Sequence, residues 1–104
     1  MAELVLIGIK GISEDQIVEL CELAENTICN YLFSNIPKRQ ILDLDITVEA
    51  DLNESLIVTI DIDVTLSPFF QGNLEEVEDG AIDEAFRVIE QRLREFNKFV
   101  GERS

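Results

Sequence analysis

The sequence has no histidine, no tryptophan and only two cysteines among its 104 residues. Without histidine, no serine or cysteine gains the imidazole base that nucleophilic catalysis ordinarily uses, and zinc has no convincing ligand set. Cys21 and Cys29 fall eight positions apart on one expected helix. That spacing separates their Cα atoms by about 12 Å, beyond the ~7 Å reach of a disulfide, so both are expected to be free thiols. There is no glycine-rich phosphate loop, and no window combines the acid spacing, central glycine and terminal glutamate of a calcium loop. No catalytic residue and no cofactor is therefore expected, and the chain reads as a non-enzyme.

Basic residues are scarce as well: 8 Lys and Arg stand against 22 Asp and Glu, a formal charge of −14. Nucleic acid binding starts with cations that neutralise phosphates, and anionic lipid surfaces repel the same charge, so neither direct nucleic acid binding nor membrane association is expected. The charge favours encounter with a basic surface on a partner protein. Long hydrophobic runs are also missing. Leu4-Val5-Leu6-Ile7 falls far short of the roughly 20 residues that span a bilayer, and no signal-peptide pattern is visible, so a cytoplasmic location is expected.

What is present is a foldable pattern. Apolar residues make up 46% of the chain and recur periodically, at a length that buries about two-thirds of the unfolded surface in one core. Residues 1–104 are expected to form a single α+β domain. Residues 3–9 are nearly all apolar and β-prone. Gly11 follows, and Ser13-x-x-Gln16 matches a capping box, so a strand turns into a helix. From Glu14 to about Ser34 the apolar positions Ile17, Leu20, Cys21, Ala24, Ile28, Tyr31 and Leu32 keep helical spacing. Ile36-Pro37 breaks that helix.

Strict alternation follows. Leu42, Leu44, Ile46, Val48 and Ala50 share one side of a strand, and Asp43, Asp45, Thr47, Glu49 and Asp51 the other. Leu56, Val58, Ile60, Ile62, Val64 and Leu66 repeat the pattern against Ile57, Thr59, Asp61, Asp63 and Thr65. Both inward sets are even-numbered, so a hairpin that keeps them on one face needs an odd loop, most simply Leu52-Asn53-Glu54. That register places Asp43 opposite Asp63 and Asp45 opposite Asp61. Asn73-x-x-Glu76 caps a second amphipathic helix from about Leu74 to Val100, with a stripe of Val77, Ala81, Ala85, Ile89, Leu93 and Phe96. Gly80 leaves Asp79 as an alternative start.

The order β-α-β-β-α implies a two-layer sandwich, with a mostly antiparallel three-stranded sheet carrying both helices on one face. This is a ferredoxin-like arrangement lacking its last strand. If the crossover is right-handed, the N-terminal strand lies beside the third and forms an edge. Edges are normally guarded by charge, proline or bulges. This one has Leu4 and Leu6 on one face and Val5, Ile7 and Ile9 on the other. Either a protein partner covers it, in which case these five residues form an interface, or the strand lies inside the sheet in another order. Phe69 and Phe70, just after Pro68, either anchor an interface or close the end of the core.

The outward acidic face comprises Asp43, Asp45, Glu49, Asp61 and Asp63. Opposed like charges destabilise a sheet, and three things offset the cost: solvation, a basic partner, or a cation held weakly by Asp43, Asp45, Asp61 and Asp63. Acid rows at strand spacing also suit a nucleic acid mimic that occupies a basic protein. Five of the eight basic residues, Arg87, Arg92, Arg94, Lys98 and Arg103, gather near the end of the second helix and form a candidate basic patch.

Tyr31-Leu32-Phe33-Ser34-Asn35-Ile36-Pro37-Lys38, Asp43-Leu44-Asp45-Ile46-Thr47-Val48-Glu49 and Ile60-Asp61-Ile62-Asp63-Val64 together resemble a small acidic archaeal family of unknown function, over about residues 13–98. Genes of that family commonly lie beside those for prefoldin beta and for the Pcc subunit of KEOPS, the complex that completes threonylcarbamoyladenosine in tRNA. The element order also resembles that of the Pcc subunit, which dimerises within KEOPS. In place of a Ser-rich, Arg-containing start, the second helix here has Asp79-Gly80-Ala81-Ile82-Asp83. The resemblance therefore implies an acidic, non-catalytic companion that pairs with a Pcc-type subunit or with itself. A prefoldin-linked or other interaction protein is the alternative.

Overall fold

The computed structural model describes residues 2–9 and 11–96. Strand β1 (Ala2–Leu6) leads to helix α1 (Glu14–Asn35), a 3-10 turn (Lys38–Gln40), strands β2 (Ile41–Leu52) and β3 (Leu56–Leu66), and helix α2 (Leu74–Glu95). Both pairings are antiparallel and the sheet order is β1-β3-β2, as the ferredoxin-like expectation requires. Among the described residues no helix is long and apolar enough to cross a membrane.

Local chemistry sets the boundaries. Ser13 closes a capping box: its Oγ accepts from Gln16 N and its own N–H donates to Gln16 Oε1, both at 3.1 Å. Glu14 and Asp15 in the first turn complement the positive end of the helix dipole. The helix ends where Ile36 adopts φ −129° and ψ 127°, the extended geometry that Pro37 demands of its predecessor. Asn73 caps α2 through a bond to Glu76 N at 3.2 Å, so α2 starts at Leu74 rather than Asp79. Val100, expected in this helix, lies outside the described residues.

Three expectations about the strands are corrected. β1 ends at Leu6 and not at Ile9, because Gly8 (φ 81°) and Gly11 (φ 62°) turn the chain through left-handed backbone towards α1. The hairpin loop is Asn53-Glu54-Ser55, with Leu52 opposite Leu56. The loop is still odd, so the inward face is unchanged, but every pair moves by one pleat repeat. Asp45 now faces Asp63, Thr47 faces Asp61, and Asp43 faces Thr65. One opposed pair of aspartates replaces the two expected, which spares a repulsion of about 0.2–1 kcal/mol. A bulge between Ile41 and Asp43 also turns Leu42 outward, to 62% exposure.

The core lies between the sheet and the helices. Leu4 and Leu6 from β1, Leu56, Val58 and Ile60 from β3, Leu20, Ala24, Ile28 and Leu32 from α1, and Ala81, Ala85, Phe86, Ile89 and Leu93 from α2 are all buried. Each large aliphatic side chain removed from water here contributes about 1.5–3 kcal/mol. Gly80 lies inside α2 because Tyr31 of α1 packs onto it. A Cβ at that position would collide with Tyr31 Oη and approach Cζ to 2.8 Å.

Gly80→Ala therefore trades about 1 kcal/mol of helix propensity against a steric clash. Urea denaturation is expected to show Gly80→Ala destabilised in the natural background and stabilised by about 1 kcal/mol once Tyr31→Ala is present. Simple additivity of the two changes would show that the tyrosine is not the reason for the glycine.

Candidate functional site

β1 is the edge strand whose free side faces the place of a fourth strand. Its sole strand neighbour among the described residues is β3, with Glu3 opposite Thr59 and Val5 opposite Ile57. Its side chains divide differently from the expected interface. Leu4 (4% exposed) and Leu6 (0%) belong to the chain's own core, and Ile9 packs against that core beyond the end of the strand. Val5 is half-buried on the outer face, and Ile7 is 42% exposed just past the strand. The backbone of β1, with Val5 and Ile7, is thus what a neighbouring strand would meet. The opposite edge, β2, is guarded by its bulge and by exposed acids.

The phenylalanines separate in the same way. Phe70 packs against the core, while Phe69 is 80% exposed. Ser67 explains the split. Its Oγ accepts from Phe69 N at 3.2 Å and its carbonyl from Phe70 N at 3.1 Å, fixing a tight turn that sends consecutive side chains opposite ways.

The outer sheet face carries Asp43, Asp45, Glu49, Asp61 and Asp63, all exposed. Threonines 47, 59 and 65 oppose Asp61, Glu49 and Asp43 across the hairpin, so acids and hydroxyls interleave. Among the described residues no group of three or more His, Cys, Asp or Glu side chains is placed to hold a metal ion. The weak cation site assigned to Asp43, Asp45, Asp61 and Asp63 is therefore not assembled, because the observed register opposes only Asp45 and Asp63.

The candidate basic patch on α2 is also corrected. Arg87 donates to Glu84, at 2.5 Å and 3.1 Å, and to Gln91. Arg92 reaches across the groove between the helices to Glu19 at 2.7 Å and back to Glu95 at 3.2 Å. That groove, about 430 Å³ and lined by Glu19, Leu23, Asn26, Val88 and Arg92 among others, is spanned by an ion pair linking the start of α1 to the end of α2. Lys98 and Arg103 lie outside the described residues. Both cysteines are free and half-buried. Burial, then Glu22 and Glu25, pushes the Cys21 thiol above its ordinary pKa, which leaves little thiolate to react.

Asp63→Asn removes the opposed aspartate pair. It is expected to raise stability by a few tenths to about 1 kcal/mol at low ionic strength, and by less as salt screens the exposed charges; unchanged urea midpoints at low salt would show that the carboxylates do not sense each other. Glu78 on α2 offers a pH test. Burial first, then Asp79, and also Glu75 and Asp63, hold its carboxyl above the ordinary value. Folding therefore favours the protonated form. That stabilisation is present below the ordinary carboxylate range and is lost as pH rises through the raised value. Glu78→Gln is expected to be the more stable protein at neutral pH, with the gap closing in acid, and a pH-independent gap in urea midpoints would contradict this.

Comparison with known proteins places the chain. The family described as "Protein of unknown function (DUF3194)" matches residues 9–92. An uncharacterised protein of Pyrococcus horikoshii is 29% identical over 101 residues, covering 97% of this chain and 87% of the relative. One from Pyrococcus furiosus is 27% identical over 104 residues, covering 100% and 94%. A crystal structure from Thermococcus onnurineus NA1 shares the fold with a TM-score of 0.75 at 28% identity, over 92% of this chain and 94% of that one. The solution structure of a hypothetical protein from Methanothermobacter thermautotrophicus gives 0.72 at 26% identity, over 86% and 98%. The matched span contains α1, the hairpin with its acid rows and α2 up to Arg92, and the chain belongs to this family of archaeal proteins of unknown function.

Proposed function

We propose that this chain is a non-catalytic, protein-binding subunit that pairs through the open edge of β1, and that its partner is a Pcc-type subunit of KEOPS. The observation that carries the reading is the sheet order β1-β3-β2, in which the ferredoxin-like arrangement stops one strand short, next to β1. An added strand gains affinity from backbone hydrogen bonds and specificity from the side chains beside them. Here those neighbours are Val5, Ile7 and Ile57, with Glu3 as the one acid on the strand. The resemblance to the Pcc subunit in element order, and the gene neighbourhood of the family, supply the partner's identity.

The test mixes the purified chain with a Pcc-type subunit and follows both by size exclusion with light scattering. Co-elution as a complex is expected, and Val5→Lys, which places a charge on the edge, should abolish it without changing the circular dichroism of the chain. Separate elution with a dimer of this chain alone would replace the Pcc partner by a second copy. Co-elution with prefoldin in its place would move the partner to the chaperone. A chain that stays monomeric in every mixture would overturn pairing through β1.

A further inference from the structure

We propose that the end of the fold where α1 gives way to β2 is a second docking surface, and that it takes an acidic, apolar segment of a partner protein. Three large hydrophobic residues are exposed there: Phe69 at 80%, Leu42 at 62% and Phe33 at 39%. They are half of the six exposed large hydrophobics among the described residues. The chain path brings them to one end. Phe33 lies in the last turns of α1, the bulge turns Leu42 outward at the start of β2, and Ser67 N–H donates to Gln40 O at 2.8 Å. That last bond ties the connection bearing Phe69 to the 3-10 turn bearing Lys38 and Arg39.

Charge selects the occupant. Arg87 and Arg92 are held by carboxylates of their own chain. Lys38 and Arg39 are adjacent and exposed, and neither has a carboxylate partner among the described residues. Lys38 instead stands over the Phe33 ring, its Nζ 5.9 Å from the centroid, which positions the ammonium at the margin of the apolar group. In a chain with 22 acids, two adjoining cations without carboxylates beside exposed aromatic and aliphatic side chains complement a ligand that carries both acids and apolar residues.

A nucleic acid suits the surface less well. Its phosphates would need more than two cations, and Asp43 and Asp45 on the adjoining strand repel a polyanion that extends past them. A second copy of this chain suits it less well too, because the acidic rows of the sheet present aspartates among threonines, and the apolar side chains of that face, Val5 and Ile57, stand together at the β1 edge.

The experiment titrates the full chain, isotopically labelled for nuclear magnetic resonance, with a short peptide alternating glutamate and leucine. Its lysine-leucine counterpart and single-stranded polyuridine serve as comparison arms. Saturable binding of the acidic peptide is expected, with amide shifts confined to residues 33–42 and 67–70. Lys38→Glu with Arg39→Glu should weaken it by roughly tenfold or more, Phe69→Ser should weaken it at unchanged charge, and added salt should weaken it further. No saturable binding, equal binding by the charge-reversed chain, shifts centred elsewhere, or tighter binding of polyuridine at these residues would overturn the proposal. Val5→Lys on β1 should leave the peptide affinity unchanged, so this surface and the β1 edge succeed or fail separately.

Discussion

The structure depends on one buried row. Leu56, Val58 and Ile60 on β3 are excluded from water, and among the described residues β3 is the only strand hydrogen-bonded on both sides. Burying those even-numbered residues fixes which face of the hairpin meets the helices, and therefore which face must carry the odd-numbered acids. It also fixes the reach of β1, which pairs with β3 from Leu56 to Ile60 and no further. Where β1 covers β3 the inward residues are fully buried; beyond it Ile62, Val64 and Leu66 are only half-buried. The sheet is thus a long hairpin with a short third strand laid along one half.

Much of this was legible in the sequence because period and punctuation are local. Alternation over Leu44–Ala50 and Leu56–Leu66 gave the strands their faces, though the bulge put Leu42 outside the pattern, the Ser13 and Asn73 caps placed the helix starts, and Pro37 placed the end of α1. Register was not legible. A slip of one residue would turn the acids inward and is forbidden by the pattern, whereas a slip of two leaves both faces intact. The parity argument therefore admits both the expected loop and the observed one, and what separates them is a small difference in opposed charge and the pairing of Leu52 with Leu56. The end of β1 was hidden for a related reason: Ile7 and Ile9 continue an apolar run, and the positive φ of Gly8 that breaks it is a choice glycine permits but does not announce.

The candidate sites show the same division. Sequence spacing put Phe69 and Phe70 together and suggested one fate for both, yet the turn at Ser67 sends one inward and the other into solvent. The arginines of α2 looked like a patch when counted along one helix. Arg92 becomes part of the helix packing once α1 lies alongside and Glu19 reaches it, a partner far apart in sequence that i, i+4 spacing does not reveal, while Arg87 is held by Glu84 and Gln91 of its own helix. Among the described residues Lys38 and Arg39 have no carboxylate partner, and nothing in the sequence marks them out, since a Lys-Arg pair after proline is ordinary turn composition.

The two surfaces differ in kind as well as place. β1 lies along Leu56–Ile60, and the cationic end lies at Leu66, about 20 Å further along the strand. The pairing proposed at the β1 edge would run through uncharged backbone groups, so salt would have little hold on it. The docking proposed at Lys38 and Arg39 would depend on exposed charge, which ions screen within about 10 Å at 0.1 M. An acidic protein that recognised partners only through its surface charge would bind any basic protein it met. Under the two proposals, the overall charge of −14 repels most anionic surfaces while a strand edge with a single acid and a small cationic end admit specific ones, so the acidity would act as a filter and the contacts would lie where the acids are few.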